Sequence, residues 1–168
     1  ILLNLNTRDI KITDFGIANQ LPKQHLRIRN PGLLEGTLAY MSPEQTGRMN
    51  RVLDYRSDLY SLGVAFYELF TGRLPFDTED ALEIVHCHIA KRPKPPIEIN
   101  PELPRTVSNI ILKLLEKAAE DRYQSAWGLK ADLEQCLQQL QTKGKNEAFP
   151  LAHFDIYKQF HIPQKLYG

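Results

Sequence analysis

One acidic side chain in this sequence has the chemistry and the position of a metal ligand. Asp14 directly follows a short apolar run, and Gly16 comes two residues later. Mg²⁺ prefers hard oxygen ligands on a rigid support, which a carboxylate at the end of a strand provides. The glycine allows a sharp change of chain direction. Taken alone, the pattern also fits an ordinary strand-to-turn Asp-x-Gly, so the other motifs of the sequence must decide whether Asp14 binds magnesium.

A second group of candidate residues lies in a long irregular segment. Residues 17 to 56 show neither helical nor strand periodicity and include the turn-forming residues Pro22, Pro31, Gly32 and Pro43. The segment is too long to be an ordinary connection in a compact domain, and loops of this length are usually functional. Thr37 and Tyr40 lie in it, so they are either functional residues or ordinary loop residues.

The elements that must position these residues are a short hairpin and a set of helices. Ile1–Leu3 and Asp9–Ile12 are extended runs around a polar connection, which predicts a β-hairpin. From Ser57 onward, apolar residues cover nearly every face of a helix that ends at Gly72, which predicts a helix in the centre of the core. The fold class is therefore mainly α with a short β-hairpin.

Three further helices are predicted downstream. Asp77 or Thr78 can cap the first, which ends before Pro93. The second carries a clean amphipathic pattern with apolar residues at Val107, Ile110, Ile111, Leu114 and Leu115. The third follows Ser125, and its predicted inward residues are Ala126, Leu129, Leu133, Cys136, Leu137 and Leu140.

Composition favours one globular domain and gives no support for a nucleic-acid or membrane partner. The 168 residues are 42% hydrophobic and 24% charged, with a formal net charge of +1. This charge produces no strong field toward nucleic acid or an anionic membrane. No apolar stretch approaches the roughly 20 residues of a membrane span. Cys87 and Cys136 lack metal-type spacing and are expected to be buried free thiols, which suits a reducing cytoplasm.

The motifs together resemble those of eukaryotic-type serine/threonine protein kinases. Asp14-Phe15-Gly16 resembles their metal-binding motif. The run from Gly36 to Glu44 resembles the closing element of their activation segment, with Ser42 in place of the usual alanine. Three more matches follow in the family's order, at residues 58–63, 72–76 and 121–123. The resemblance implies a protein kinase-like fold represented by its C-terminal lobe, ATP and Mg²⁺ as cofactors, and a protein Ser/Thr substrate.

The resemblance also implies roles in catalysis and substrate binding. Asp14 would hold magnesium, and Gly16 would have a structural role beside it. Thr37 would hydrogen-bond the catalytic aspartate and a neighbouring lysine, as in kinases that act on serine or threonine. The pocket for the residue after the phosphorylated one would be formed by Gly36, Thr37, Leu38, Tyr40 and Met41.

Other residues would support the nucleotide or the fold. By family position, Leu2 would lie under the adenine and Thr13 beside the nucleotide, although both also fit plain core or strand positions. Asp58 would anchor the backbone of the catalytic loop. Glu44 and Arg122 would form a buried ion pair.

The resemblance predicts where the chain lies within a longer protein. In the family, the motif with the catalytic aspartate and a metal-binding asparagine ends just before residues like Ile1–Leu3, and the Gly-rich loop, the phosphate-binding lysine and its glutamate partner lie on the smaller lobe. We therefore expect residues 1–141 to be part of a kinase domain that is inactive alone. The polar residues from Thr142 onward predict that 142–168 is a linker to a following domain.

A closer resemblance concerns large bacterial chimeric signalling proteins. The residues that carry it are 34–51, 54–58, 153–156 and 160–168. In these proteins a serine/threonine kinase precedes a P-loop NTPase-like domain, a GAF sensor and a histidine kinase. The resemblance implies that these domains and the kinase N-lobe are the partners of the chain. A pseudokinase-like regulatory or binding module in a multidomain sensor protein remains the alternative to an active kinase.

Overall fold

The computed structural model describes residues 2–4, 6–7, 9–13, 38–48, 53–145 and 147–155. Strand β1 (Leu2–Leu3) pairs antiparallel with β2 (Ile10–Lys11), so that Leu2 faces Lys11 and Leu3 faces Ile10. The predicted hairpin is confirmed. Between the strands, the Asn4 side-chain oxygen accepts backbone N–H bonds from Asn6 and Thr7 at 3.0 and 3.3 Å.

Helix α1 (Arg56–Thr71) is the central helix of the described fold, as its apolar pattern predicts. It ends at Gly72, which has the left-handed φ of +72° and donates its N–H to the Glu68 carbonyl. Helix α3 (Arg105–Leu114) packs closely against α1. A Cβ on Gly63 would lie 2.7 Å from the Leu114 Cβ, so this approach requires a residue without a side chain.

Two groups of buried apolar side chains surround α1. The first joins Leu59 to α3 and to the last helix, and the second joins the opposite side of α1 to α3 and Leu103. Their members are Leu59, Ile110, Leu114, Tyr123, Leu129 and Cys136 in the first, and Tyr60, Val64, Tyr67, Leu103, Ile111 and Leu115 in the second. The described elements confirm the mainly α fold class.

Helix α2 (Ala81–Ala90) begins later than predicted. Its N-cap is Asp80, whose carboxylate accepts the N–H groups of Leu82 and Glu83, so Asp77 and Thr78 were the wrong choices of cap. Thr78 instead donates its hydroxyl to the Glu83 carboxylate. The buried face of α2 contains Ile84, Cys87 and His88, because packing against residues 38–41 selects the face.

Helix α4 (Ala126–Lys143) begins at the predicted N-cap, Ser125. Leu129 and Cys136 are buried, but Ala126 is exposed and Leu137 and Leu140 are 54% and 40% exposed, so the prediction of an inward position was wrong for these three residues. Both cysteines are buried free thiols, as predicted. In the part of the chain that the structure describes, no helix is both long and apolar enough to cross a membrane.

Candidate functional site

Residues 38–46, which we call the 38–46 segment, include Leu38, Tyr40 and Met41, the residues of the predicted substrate pocket that the structure describes. Leu38 and Met41 are both buried. They pack against Phe76 and against Ile84 and Cys87 of α2. The side chains of Leu38 and Met41 therefore anchor the segment to Phe76 and α2.

Tyr40 ties the segment to α1. Its hydroxyl donates a hydrogen bond to the Glu68 carboxylate, and its carbonyl accepts the Ser61 hydroxyl at 2.8 Å. The hydrogen bond to Glu68, partial burial and the Glu68 charge raise the pKa of Tyr40 to about 12. Tyr40 is therefore a neutral hydrogen-bond donor at physiological pH.

The second half of the segment is a 3₁₀ turn at Pro43–Thr46. The Gln45 side-chain oxygen accepts both the backbone N–H and the hydroxyl of Ser42, each at 2.9 Å. Thr46 donates its hydroxyl to the Pro43 carbonyl at 2.6 Å. A buried polar group is costly unless it is paired. The Ser42 hydroxyl, at the position where the resemblance predicts alanine, avoids this cost through its hydrogen bond to Gln45.

Glu44 and Arg122 form a buried ion pair that fixes this turn to the core. The guanidinium nitrogens of Arg122 lie 2.7 and 2.8 Å from the two Glu44 carboxylate oxygens. The two side chains are 3% and 0% exposed. Ser57 at the start of α1 donates a third hydrogen bond to Glu44 at 2.8 Å.

Arg122 uses every donor it has. A guanidinium carries five N–H groups. Two bond Glu44, and the other three bond the backbone carbonyls of Glu116, Arg56 and Lys117 at 2.8, 3.1 and 3.2 Å. Burial opposes ionisation of Glu44, but the hydrogen bonds and charge of Arg122 and the Ser57 hydroxyl hold the Glu44 pKa below its usual value.

A buried polar group lies beneath the first half of the segment. His88 of α2 is 1% exposed, and its Nδ1 lies 2.9 Å from the Tyr60 hydroxyl. Lys117 donates to the same hydroxyl at 3.5 Å and to the Cys87 carbonyl at 3.1 Å. Burial and the Lys117 charge lower the pKa of His88 to about 4, although the backbone of Leu38 and Ala39 favours the protonated ring. His88 is therefore a neutral component of the core.

The remaining predicted residues lie on the hairpin, in helix α1 or outside the described residues. Leu2 is 62% exposed on β1, and Thr13 is exposed after β2. Asp58 is exposed in the first turn of α1, and its carboxylate makes no hydrogen bond to a described residue. Asp14, Gly16, Gly36 and Thr37 lie outside the described residues. No described residues form a cluster of three or more His, Cys, Asp or Glu side chains that could hold a metal ion.

Reasoning from the sequence missed the polar groups of α1 that hold the 38–46 segment. Ser57 bonds Glu44, Ser61 bonds the Tyr40 backbone and Glu68 bonds the Tyr40 hydroxyl. These three residues are spaced by four and seven positions, so they lie on one face of the helix. The sequence pattern that could have predicted these contacts is the row of polar residues along one face of an otherwise apolar helix.

Comparisons with known proteins identify the family. A family model described as "Protein kinase domain" matches residues 1–139. The chain therefore belongs to the protein kinase domain family. Its expected resemblance to serine/threonine protein kinases is confirmed by its curated relatives.

Three relatives show the range of proteins in which similar segments occur. The chain is 56% identical over 98 residues to hybrid signal transduction histidine kinase G of Dictyostelium discoideum. The matched stretch covers 58% of the chain and 3% of that protein. It is 39% identical over 134 residues to the serine/threonine-protein kinase Pkn1 of Myxococcus xanthus, covering 80% of the chain and 19% of that protein. It is also 39% identical over 126 residues to the serine/threonine-protein kinase PrkC of Bacillus subtilis, and this match covers 75% of the chain and 19% of that protein. The chain thus spans at most a fifth of the length of these relatives.

Proposed function

We propose that the chain is the substrate-positioning part of a protein kinase that transfers the γ-phosphoryl group of ATP to serine or threonine residues of proteins. The observation that carries the proposal is the attachment of the 38–46 segment to the core through Glu44–Arg122 and Tyr40–Glu68. Phosphoryl transfer depends mainly on positioning and on electrostatic stabilisation. A rigid support for the 38–46 segment meets the requirement for positioning.

Within this proposal the described residues divide the work between support and contact. Leu38 and Met41 are buried, so they hold the shape of the substrate pocket. Tyr40 is half-buried and fixed through Glu68 and Ser61, so its position next to the substrate backbone is set by α1. Gly36 and Thr37 complete the pocket, and Thr37 places the accepting hydroxyl beside the catalytic aspartate.

The nucleotide side of the proposal rests on the hairpin. Asp14 is the proposed ligand of a magnesium ion, which neutralises charge on the phosphates when bound. Leu2 and Thr13 are proposed to border the adenine and the phosphates. All three residues lie within the span that the family model matches, and the names of the bacterial relatives support kinase activity.

The proposed context is a multidomain signalling protein. Residues 1–141 are its partial kinase domain, and 142–168 connect this domain to NTPase-like, GAF and histidine kinase domains. The relative from Dictyostelium discoideum, which is named a hybrid signal transduction histidine kinase, supports this context. We propose that residues 1–168 alone do not transfer phosphate, because they contain neither the catalytic-loop motif with its aspartate nor the motif of the phosphate-binding lysine.

A phosphotransfer assay tests the activity. The intact kinase domain of the whole protein is compared with its Asp14→Ala and Asp9→Ala variants on a generic Ser/Thr protein substrate. Asp9 is an exposed aspartate of the same hairpin and is the matched control. Loss of activity in Asp14→Ala alone supports an active kinase with Asp14 at the metal. A folded wild-type domain without activity would instead favour the pseudokinase-like binding module.

A further inference from the structure

Residues 147–155, which we call the connector strap, fold back onto the helices although they lie beyond residue 139, where the family match ends. The Thr106 hydroxyl of α3 donates to the Glu147 carbonyl at 3.3 Å. Phe149, Leu151 and Ala152 are partly buried against the apolar cluster that includes Leu129 of α4. The strap therefore extends the core of the lobe.

A buried carboxylate joins the strap to α4. Asp132 is 2% exposed, and its Oδ2 accepts the Tyr123 hydroxyl at 2.6 Å and the Ala152 N–H at 2.8 Å. Ala152 has the left-handed φ of +58°, which is uncommon for a residue with a side chain. The strap adopts this costly conformation where it meets Asp132, so the surrounding contacts must outweigh the strain.

A second carboxylate joins the end of the strap to the beginning of α4. Asp155 accepts the backbone N–H of Gln124 and, at 2.6 Å, the hydroxyl of Ser125. The Ser125 oxygen in turn accepts the Gly128 N–H at 3.0 Å. A negative charge at this end of a helix is favoured by the helix dipole. The strap thus provides the anion that the helix end attracts.

Gly128 makes room for this contact. A Cβ built on Gly128 would lie 2.5 Å from the Asp155 Cβ, which is closer than real atoms approach. Glycine is a poorer helix former than alanine, so its presence in the first turn of α4 is locally unfavourable. The Asp155 side chain occupies the space that a Cβ on Gly128 would fill.

We propose that the N-terminal end of α4, formed by Gln124, Ser125 and Gly128 together with Asp132, is a docking surface for the connector strap of the same chain. The surface recognises apolar side chains at Phe149 and Leu151 followed by the carboxylate of Asp155. Docking fixes the position of Asp155 relative to the N-terminal end of α4. This role is independent of phosphotransfer, so it goes beyond the proposed function.

The test is a pair of substitutions in the full chain, Gly128→Ala and Asp155→Gly, alone and combined. Hydrogen exchange of residues 147–155 and of the Gln124 amide is measured together with the melting temperature. If the strap docks, Gly128→Ala accelerates exchange of these amides at least tenfold and lowers the melting temperature. In the Asp155→Gly background the same substitution no longer meets a side chain, and it leaves the melting temperature unchanged or raises it.

The opposite result overturns the proposal. Without docking, Gly128→Ala raises the melting temperature in both backgrounds, because alanine favours the helix, and exchange of residues 147–155 does not change. If Gly128→Ala does not fold, Asp155→Gly alone decides the matter, since it removes the carboxylate without a clash. Faster exchange of the Gln124 amide supports docking, and unchanged exchange refutes it. His153→Gln, at an exposed position of the strap, is the matched control and should leave exchange unaltered.

Discussion

The 38–46 segment and the β1–β2 hairpin carry different parts of one predicted site, and they are held in different ways. The segment is attached through buried side chains, including an ion pair whose partners are 3% and 0% exposed. The hairpin is held by backbone pairing, and Leu2, Ile10 and Ile12 are 62%, 68% and 68% exposed. The comparison teaches that buried attachments are concentrated in the segment, whereas the described apolar side chains of the hairpin are exposed.

The largest expected effect comes from removing one partner of the buried pair. Glu44→Ala should lower the free energy of unfolding by about 3–5 kcal/mol, because it leaves the charge of Arg122 buried without a counterion. Denaturant unfolding of the full chain measures this. Glu79→Ala, an exposed glutamate between α1 and α2, is the control and should change stability by less than about 0.5 kcal/mol. Similar losses in both variants would remove the difference between a buried and an exposed carboxylate.

The next effect is a dependence of stability on pH through His88. Its pKa is about 4 in the folded chain against an ordinary value of 6.5. Between these values the unfolded chain binds more protons, so folding stability is lost as pH falls from about 6.5 to 4. The full loss is about 3 kcal/mol.

Unfolding measured at pH 7.5 and pH 5 tests the His88 prediction. His88→Gln should flatten the pH dependence over this range, because the substituted side chain does not titrate. His86→Gln alters an exposed histidine of the same helix and should retain the wild-type slope. Equal slopes in wild type and His88→Gln would show that the buried ring does not control acid stability.

A smaller effect is expected for the hydrogen bond that joins Tyr40 to α1. Tyr40→Phe removes the bond to the Glu68 carboxylate and should lower the free energy of unfolding by about 1.5 kcal/mol. In the intact kinase domain the same variant should also lower kcat/KM for the protein substrate, because the segment loses one attachment. Normal stability combined with normal kcat/KM would show that Glu68 does not position Tyr40.

The smallest effect on stability is expected in the hairpin. Leu2→Ala changes a side chain that is 62% exposed, so the free energy of unfolding should shift by less than about 0.5 kcal/mol. In the intact kinase domain it should nevertheless raise KM for ATP, since Leu2 is proposed to border the adenine. A large loss of stability without a change in KM would place Leu2 in the core and end its nucleotide role.

Local pattern was sufficient for the elements themselves. The apolar periodicity around Val107–Leu115 and the cap at Ser125 predicted helices that the structure contains. The N-cap of α2 was less predictable. Asp77, Thr78 and Asp80 all have side chains that can cap a helix, and only the path of the chain selects Asp80. The resemblance to protein kinases also predicted the ion pair of Glu44 with Arg122, although the two residues lie far apart in the sequence.

Tertiary packing decided which faces are buried and which polar groups meet. Leu137 and Leu140 follow the apolar period of α4, yet no described element covers them fully, so they remain exposed. The contact of Asp155 with Gly128 depends on the strap folding back across α4, which no local pattern encodes. The sequence by itself therefore determined the family, the helices and the identity of the motif residues, because these depend on near neighbours in the chain. Only the tertiary structure decided how Tyr40, Glu44 and the strap are held, because their partners come from distant segments.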